Sequence, residues 1–472
     1  MTAPDPRELD EVLDLVRTSA REFLDGLPTD PVRLPNADEV AEGLGGPLPE
    51  EGDGALVALK ELTAATDAAI RSTGPRFFHW VIGGSTPAAL AADWLASALD
   101  QNAGAWGSSP LGTKLEIVAT GWLQDLFGLP ASWGGVLTTG ATMANFTGLA
   151  CARRWWAERH GRDVDAEGLA GLPATPVLSS GYIHPSARKA LAMLGIGRDA
   201  ARTFERDAAG RLDLEALEGA LRVLDGAPAI LVGNAGEVNA GDSDPIAEMA
   251  DLAERYGAWL HVDGAFGLFA AVSPRTAHLV EGIDRAHSVI ADGHKWLNVP
   301  YDCGFAFVRD PALLGGVFSL LAAYLPPPDD PHPVYFNLGP EASRRARALA
   351  VWATLRAYGR SGHRGIVERC LDLAQHLARR VDESPDLERL ADVPLNIVCF
   401  RYRPEGRPDE ELDDLNRRLG EAVLEDGRVY VGTTVYEGRA AFRPAIVNWM
   451  TRREDVDLVV DVIRELGASL VR

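Results

Sequence analysis

The chain has 472 residues, 46% hydrophobic and 24% charged, which is typical of a globular enzyme with two or three domains around a large core. Its 68 acidic residues outnumber its 46 basic residues, and no block rich in Lys or Arg offsets the formal net charge of −22. This charge argues against nucleic acid and anionic membranes as partners.

The N-terminus and the cysteines bear on location and on metal binding. The stretch "MTAPDPRELDEVLDLV" is acidic and lacks the apolar core of a signal peptide, and no apolar run is long enough to span a bilayer. We therefore predict a cytoplasmic protein. The four cysteines lie far apart without a CxxC pair, so the sequence indicates neither a disulfide framework nor a metal site.

The first segment of the chain, residues 8–73, has a helical pattern with two apolar-faced stretches. Apolar residues recur at helical spacing in the first stretch: Leu9, Val12, Leu13 and Val16. Two such helices would lack a core of their own. We predict that an N-terminal helical segment, residues 1–75, packs on the rest of the chain or on a second subunit.

Short β-rich runs alternate with helical stretches between about residues 135 and 310. The runs are "GVLTT", "PVLSS", "AILVGNA", "WLHVDG", "SVIAD" and "CGFAFV". This alternation predicts an α/β fold with a mostly parallel sheet wrapped by helices, here assigned to a large domain of residues 76–345.

A proline-rich loop, "LPPPDDPHPV" at 325–334, interrupts the pattern, because proline cannot continue regular structure. A long helical stretch follows at about 340–383. After it come "NIVCFRY", "RVYVGTTVY" and "AAFRPAIVN", with helices between and after them. We predict a smaller C-terminal α+β domain of residues 346–472.

Chemistry is expected at the carboxyl ends of the predicted strands, where open α/β sheets bind ligands. In "LTTGATMAN", Gly140, Ala141 and Thr142 follow a strand and open a helix, a pattern that suits a phosphate but also an ordinary helix cap. Asp263 ends the strand in "WLHVDGAFG", and Lys295 follows the next strand in "ADGHKWLNV".

A lysine, a buried carboxylate and a phosphate cradle at neighbouring strand ends are what pyridoxal phosphate requires. The lysine forms a Schiff base, the acid keeps the pyridine nitrogen protonated, and the cradle anchors the phosphate. The competing interpretation is a structural ion pair between Asp263 and Lys295.

With these motifs in view, the chain resembles the group II pyridoxal-phosphate-dependent amino acid decarboxylases, which include aromatic-L-amino-acid, glutamate and 2,4-diaminobutyrate decarboxylases. The resemblance rests on "TTGATMANFTGLACAR", "HVDGAFG" and "DGHKWLNVPYDCG", with "PRFFHWVIGG", "SSPLGTKLE", "SSGYIHPSARKALAMLGIG" and "SRRARALAVWATLRAYGRSG" around them. It covers nearly the whole chain. It implies the aspartate-aminotransferase-like fold type I of pyridoxal-phosphate-dependent transferases and an L-amino acid as substrate.

The resemblance also implies roles for matching positions. Lys295 would form the Schiff base and Asp263 would pair with the pyridine nitrogen. His184 would stack on the cofactor ring, with Ala265 beneath the other face. The residues expected at the phosphate are Ala141, Thr142 and His294. Without the resemblance, His184 would be interpreted as a helix-capping or core histidine.

Two positions depart from relatives. Glu237 stands in "NAGEVNAGDSDP" where relatives commonly carry a threonine in a "GTT"-like segment. We expect Glu237 to point into solvent or to recognise a cationic or hydrogen-bonding substrate. Asp292 stands where some relatives have asparagine near the phosphate, and because a carboxylate would repel a phosphate we leave Asp292 out of that site.

In this family a loop tyrosine protonates the substrate carbon, and relatives with phenylalanine there make aldehydes. Tyr335, in "HPVYFNLG", falls at the expected spacing before "SRR". Tyr335 therefore predicts a decarboxylase rather than an aldehyde synthase, and an ordinary loop tyrosine is the alternative.

The substrate pocket of the family is lined by segments that match "FFHWVIGG" and "DQNAGAWGSSP". These supply Trp80, Val81, Ile82, Asn102 and Trp106. Such a lining predicts an aromatic or bulky apolar amino acid.

Arg443, in "AAFRPAIVN", could bind a carboxylate bidentately, which would favour an acidic substrate, or could brace the two domains. An aminotransferase and a catalytically silent scaffold are the other functions considered. The family builds its sites at a subunit interface, so the resemblance and the uncovered N-terminal helices predict a homodimer.

Overall fold

The computed structural model describes residues 6–471 apart from 321, 324, 328 and 329. The α-helices are α1 Leu9–Gly26, α2 Ala37–Glu42, α3 Ala55–Ala64, α4 Pro87–Leu99, α5 Pro110–Phe127, α6 Ala141–Glu158, α7 Val164–Glu167, α8 Pro185–Met193, α9 Leu214–Val223, α10 Ile246–Tyr256, α11 Pro311–Val317, α12 Ala348–Asp382, α13 Asp409–Asp426 and α14 Arg453–Val471. Short 3₁₀ helices lie at Pro6–Glu8, Ala65–Ala68, Gly267–Val272, Ala277–Val280, Ile283–Arg285 and Tyr335–Asn337.

The strands form two sheets. They are β1 Gly134–Thr138, β2 Val177–Ser179, β3 Ala201–Thr203, β4 Ile230–Asn234, β5 Trp259–Asp263, β6 Ser288–Asp292, β7 Gly304–Val308, β8 Leu387–Arg389, β9 Phe400–Tyr402, β10 Thr433–Tyr436 and β11 Arg439–Phe442. The larger sheet has the order β1-β7-β6-β5-β4-β2-β3, and the smaller has the order β10-β11-β9-β8.

The larger sheet is mostly parallel, as predicted. Strands β3, β2, β4, β5 and β6 pair in parallel, while β7 runs antiparallel to both β6 and β1. The central strands β4 to β7 are buried at every position, because helices cover both faces. Since β1 runs in the same direction as β6, the carboxyl ends of β1, β2, β4, β5 and β6 lie at one edge of the sheet.

The smaller sheet is antiparallel and packs with α13 and α14. α12 connects the two sheets and is interrupted at Gly359, whose φ of 60° is outside the helical range. The first part of α12 packs on α4 and α5, and its contacts with α14 link it to the smaller sheet. The domain boundaries stay a prediction.

The N-terminal segment contains three α-helices rather than the two apolar-faced stretches expected. No residue of α1 or α3 is buried, and Leu9, Leu13 and Leu62 are each about 55% exposed. α1 packs on α3, and an apolar groove lies between these helices, α4 and Trp449. None of the described helices combines the length and apolar character needed to cross a membrane.

Candidate active site

A pocket of about 420 Å³ opens at the carboxyl edge of the larger sheet. The residues that follow β1, β2, β4, β5 and β6 line it, together with residues 80–82 and Arg443. Most of the predicted site residues meet here: Trp80, Val81, Ile82, Ala141, Thr142, His184, Asp263, Ala265, His294, Lys295 and Arg443. Asn102, Trp106 and Tyr335 do not line this pocket.

Lys295 projects into the pocket three residues after β6. Its ammonium lies 3.3 Å from Asp292 Oδ2, and 19% of its side chain is exposed. Asp263 instead accepts hydrogen bonds from Asn145 Nδ2 at 2.8 Å and from the Ala265 N–H at 3.1 Å. The structural ion pair between Asp263 and Lys295 considered from the sequence is therefore not formed.

Two glycines let the backbone approach the lysine and the first turn of α6. A Cβ on Gly83 would lie 1.7 Å from the Lys295 carbonyl oxygen, so only glycine permits residues 80–82 to pack against this loop. Gly140 has a φ of 145°, and a Cβ there would lie 3.4 Å from the His294 ring. The start of α6 is thereby held against the loop that carries His294 and Lys295.

Asp292, which we left out of the phosphate site because of its charge, nevertheless lies beside the residues expected there. Its buried carboxylate lines the same pocket, and Oδ1 accepts a hydrogen bond from the Ala141 N–H at 2.6 Å. That bond satisfies one of the N–H groups that a helix leaves free in its first turn. A negative charge thus stands where the sequence predicted only donors to a phosphate, and the Ala141 N–H is already occupied.

His294 offers a free donor or acceptor beside this carboxylate. Its Nδ1 is buried without a hydrogen-bond partner among the described residues, and its Nε2 lies 3.5 Å from Asp292 Oδ2. The ring stacks on Tyr301 at 4.2 Å between centroids. Burial lowers the pKa of His294 and Lys295 lowers it further, while the charge of Asp292 and the backbone of Cys303 oppose this shift.

His184 lies at the start of α8, where its Nδ1 accepts the Ser186 N–H at 3.2 Å and lies 2.7 Å from Ser186 Oγ. Desolvation by the pocket walls lowers the pKa of His184, and Lys295 adds to this effect, while Asp263 opposes it. Because Nδ1 accepts, the neutral ring carries its proton on Nε2. The helix-capping interpretation is thus correct for the Nδ1 side of the ring, and the ring also lines the pocket.

Glu237 takes neither of the positions expected for it. Its side chain is buried and turns back on its own loop, where it accepts bonds from the Asn239 N–H, Asn239 Nδ2 and the Ala240 N–H at 2.7 to 2.8 Å. Burial raises the pKa of Glu237, whereas these bonds and the charge of Arg443 lower it. The Glu237 side chain therefore stabilises the turn of residues 237–240, and its charge interacts with Arg443.

Arg443 lines the pocket and also braces its entrance. Its Nη1 donates to the carbonyl oxygen of Trp80 at 2.9 Å, which ties the C-terminal segment to residues 80–82. Burial lowers the pKa of Arg443, and Glu237 opposes this effect. Trp80 has a φ of 53° and is 60% exposed, so this bond holds an aromatic side chain in a strained backbone conformation at the pocket.

Tyr335 is not in the pocket of its own chain. It is 2% exposed and packs in the apolar cluster that contains Val136 and Leu314. The guanidinium of Arg344 lies 5.1 Å from the ring centroid, and Arg344 forms a buried ion pair with Glu116 at 2.7 Å. Spacing along a proline-rich loop did not reveal that residues 335–337 fold back against this pair.

Asn102 and Trp106 also lie outside the pocket of their own chain. Asn102 Oδ1 accepts the Arg344 N–H at 2.9 Å, so its amide is used to hold the segment before α12. Trp106 stacks on His332 with 3.9 Å between ring centroids. Asn102 shares a surface cavity with Ala96 of α4, a helix that also exposes Trp94, Leu95 and Leu99.

Sequence reasoning missed several residues of the site. Tyr182, Ser186, Asn234, Gly236, Val238, Phe266 and Tyr301 line the pocket, and Asn145 lies directly behind it. Asn145 follows Ala141 by four residues on α6, so helical periodicity could have placed both on one face. No local pattern could have placed Tyr182. Its hydroxyl lies 2.7 Å from a carboxylate oxygen of Asp242, which is 60 residues away in sequence.

Comparison with known proteins identifies the family. Residues 48–403 match the model described as the pyridoxal-dependent decarboxylase conserved domain. The chain belongs to this family. It is 33% identical to the L-2,4-diaminobutyrate decarboxylase of Rhizobium meliloti (strain 1021) over 432 residues, which cover 90% of this chain and 84% of that protein.

Two further relatives bear on substrate and fold. The aromatic-L-amino-acid decarboxylase of Bacillus atrophaeus is 28% identical over 403 residues, covering 84% of this chain and 82% of the relative. The crystal structure of Oryza sativa TDC with PLP and tryptamine superimposes with a TM-score of 0.91 at 24% identity, covering 100% of both chains. The fold is therefore type I, as predicted.

As a member of this family the protein is an amino acid decarboxylase, a carboxy-lyase that uses pyridoxal 5'-phosphate. The residues of the pocket fit this cofactor. A lysine amine, a buried carboxylate, an unpaired buried His294 nitrogen and the first turn of α6 surround one cavity. The carboxylate of Asp292 is the one feature that does not suit a phosphate.

Proposed function

We propose that the protein converts an L-amino acid with an aromatic or bulky apolar side chain into the corresponding primary amine and CO₂. The observation that carries the proposal is the meeting of Lys295, Asp263 and His184 in one pocket beside the start of a helix. Bound pyridoxal 5'-phosphate supplies an aldehyde that takes up the amino group and a conjugated ring that accepts the electron pair left by the departing carboxylate.

Lys295 would hold the cofactor covalently through its amine. Asp263 would keep the ring nitrogen protonated, a role supported by its buried carboxylate and by two donors that fix its orientation. His184 and Ala265 would cover the two faces of the ring.

At the phosphate we propose Thr142 and His294, with the first-turn N–H groups of α6. His294 is supported by its place in the pocket lining, next to Lys295. The Ala141 N–H could bind the phosphate only if its hydrogen bond to the Asp292 carboxylate were broken.

The substrate side chain would lie against Trp80, Val81 and Ile82, which make one wall of the pocket apolar. An acidic substrate is the second candidate, and Arg443 favours it, because its guanidinium lines the pocket and has one hydrogen bond among the described residues. The relatives act on cationic and aromatic amino acids, so sequence similarity alone does not choose between these classes.

Protonation of the substrate carbon is proposed for a tyrosine, and two candidates compete. Tyr335 is supported by its spacing. Tyr301 is supported by its position in the pocket and by a hydroxyl without a hydrogen bond among the described residues. Burial raises the pKa of Tyr301 to about 12, and Asp292 adds to the shift, so its hydroxyl stays protonated at neutral pH.

We further propose a cytoplasmic homodimer. Its support is the apolar surface that α1, α3 and α4 leave exposed, including Leu13, Leu62 and Trp94. A two-fold interface that covers α4 would bring Asn102 and Trp106 toward the second subunit.

The test is a panel of L-amino acids incubated with the holoenzyme, with CO₂ and amine measured together by mass spectrometry. Equal amounts of amine and CO₂ from one aromatic or bulky apolar substrate, without added keto acid, would support the proposal. Amine from aspartate- or glutamate-like substrates alone would select the acidic candidate. A requirement for keto acid would indicate transamination, and aldehyde with ammonia would indicate an aldehyde synthase.

A further inference from the structure

A chain of buried hydrogen bonds runs from Asp263 into the protein interior. Asn145 Nδ2 lies 2.8 Å from Asp263 Oδ2, and Asn145 Oδ1 lies 2.8 Å from His261 Nε2. His261 Nδ1 lies 2.8 Å from Ser288 Oγ, which accepts the Trp259 indole N–H at 3.0 Å. From this arrangement we infer that Asn145 and His261 are positioning residues, which hold the Asp263 carboxylate toward the cofactor ring nitrogen.

The direction of each bond follows from the groups at the two ends. The indole of Trp259 can only donate, and the ionised carboxylate of Asp263 can only accept. Asn145 therefore donates to Asp263 and turns its oxygen toward His261, which donates from Nε2. A neutral imidazole then accepts at Nδ1, so Ser288 donates to it. Because every bond points the same way, each polarises the next.

The fold explains how these side chains meet. His261 and Asp263 are two residues apart on β5, so both face α6. Ser288 pairs with His261 across the β5–β6 ladder. Gly148 of α6 makes room for the imidazole, because a Cβ there would lie 2.9 Å from the ring.

Asn145 also connects Asp263 to His184. Its Nδ2 lies 3.3 Å from Ser186 Oγ, which in turn contacts His184 Nδ1 at 2.7 Å. One fully buried amide thus orients the carboxylate and, through Ser186, the imidazole proposed to stack on the ring. A rotation of Asn145 would disturb both groups together.

His261 is suited to remain neutral. It is fully buried, and burial lowers its pKa to about 4, while the charge of Asp263 opposes this shift. A neutral imidazole has one donor and one acceptor, which is what the chain requires. The imidazole therefore adds no charge behind the Asp263 carboxylate.

The inference rests on the proposed role of Asp263, and matched substitutions test it. His261→Gln retains an amide donor toward Asn145 and an oxygen toward Ser288, whereas His261→Leu removes both. We expect kcat of His261→Leu to fall about 10- to 100-fold, by analogy with the loss of an outer hydrogen-bond partner of a metal ligand. KM should stay unchanged, and His261→Gln should recover most of the loss.

Three readouts separate positioning from a merely structural role. They are the visible circular dichroism of the bound cofactor, the pH dependence of its absorbance, and the dissociation constant of the cofactor from the apoenzyme. We expect all three to change in His261→Leu and to return toward the parental values in His261→Gln. Melting temperatures should fall in both variants, because both perturb a packed interior.

Asn145→Asp keeps the side-chain shape but places an acceptor against Asp263, so it should weaken cofactor binding and lower kcat even if both His261 variants fold poorly. The inference would be overturned if His261→Leu and His261→Gln had equal kcat and equal circular dichroism. It would also be overturned if Asn145→Asp had the kcat and cofactor affinity of the parental enzyme. Asp263→Asn is the reference: if it turns over at the parental rate, the proposed function of Asp263 fails instead.

Discussion

The buried carboxylate of Asp292 is predicted to oppose cofactor binding. Oδ1 accepts the Ala141 N–H at 2.6 Å, and Oδ2 lies 3.3 Å from the Lys295 ammonium. A phosphate at the start of α6 would meet this negative charge, and the amine that must react with the cofactor is engaged by it. Asp292→Asn removes the charge while its amide oxygen can still accept the Ala141 N–H.

The magnitude follows from the Lys295 distance. Two unit charges 3.3 Å apart attract by about 5 kcal/mol at an effective dielectric constant of about 20. Breaking a buried ion pair typically lowers the free energy of unfolding by about 3–5 kcal/mol. Because Lys295 is partly exposed, we expect a smaller decrease of about 2 kcal/mol in the Asp292→Asn apoenzyme. The free energy of unfolding of the cofactor-bound variant should decrease little, because Lys295 is then no longer a free ammonium. The dissociation constant should therefore fall about 10- to 30-fold, since about 1.4 kcal/mol is one factor of ten.

The assay is equilibrium dialysis of cofactor against the apoenzyme, with chemical denaturation of the apoenzyme in parallel. Asp302→Asn is the matched control, because Asp302 pairs with Arg347 at 2.7 Å but does not line the pocket. The control should change stability without changing cofactor affinity. Weaker or unchanged cofactor binding in Asp292→Asn would refute the reasoning, and weaker binding would make Asp292 part of the binding site.

Three further predictions concern the reaction and the fold. Lys295→Ala should lose nearly all turnover and covalent cofactor attachment but still bind cofactor; label on another lysine after borohydride reduction would contradict this. Tyr301→Phe and Tyr335→Phe should differ in product: in the presence of O₂ as the two-electron oxidant, the variant of the true acid still releases CO₂ but yields aldehyde, ammonia and hydrogen peroxide. Amine at the parental rate from both variants would exclude both tyrosines. Burial lowers the pKa values of His261 and His287 to about 4. Below about pH 6.5 these histidines therefore bind protons in the unfolded chain but stay neutral in the folded protein. Stability should therefore decline as pH falls from about 6.5 toward 4, and a urea midpoint independent of pH over that range would contradict this.

The central strands were predictable because they are buried on both faces and read as continuous apolar runs. "AILVGNA" and "WLHVDG" correspond to β4 and β5, which are buried at all five positions. β3 and β8 were not found, because each has three residues with mixed burial and gives no period to detect. The N-terminal helices were predicted to pack on the rest of the chain or on a second subunit, and with their leucines exposed in the single chain this stays a prediction.

The pocket was predictable where the residues stand directly at strand ends. Asp263 ends β5 and Lys295 follows the end of β6, so the predicted strand boundaries were sufficient to place both residues at the same edge of the sheet. The role of Tyr335 stays a prediction, but its position was not predictable, because its ring packs against Arg344, whose partner Glu116 is far away in sequence.

Asp292 shows why charge rules alone do not place a residue. We excluded it from the phosphate site because a carboxylate repels a phosphate, yet it is the residue that binds the first N–H of α6. A buried carboxylate must find donors and a counter-charge, and in this chain the helix start and Lys295 provide both. The same pattern of small residues that favours a phosphate therefore also favours a carboxylate from the neighbouring strand. Whether affinity for the cofactor is limited by this competition is decided by the comparison of Asp292→Asn with Asp302→Asn.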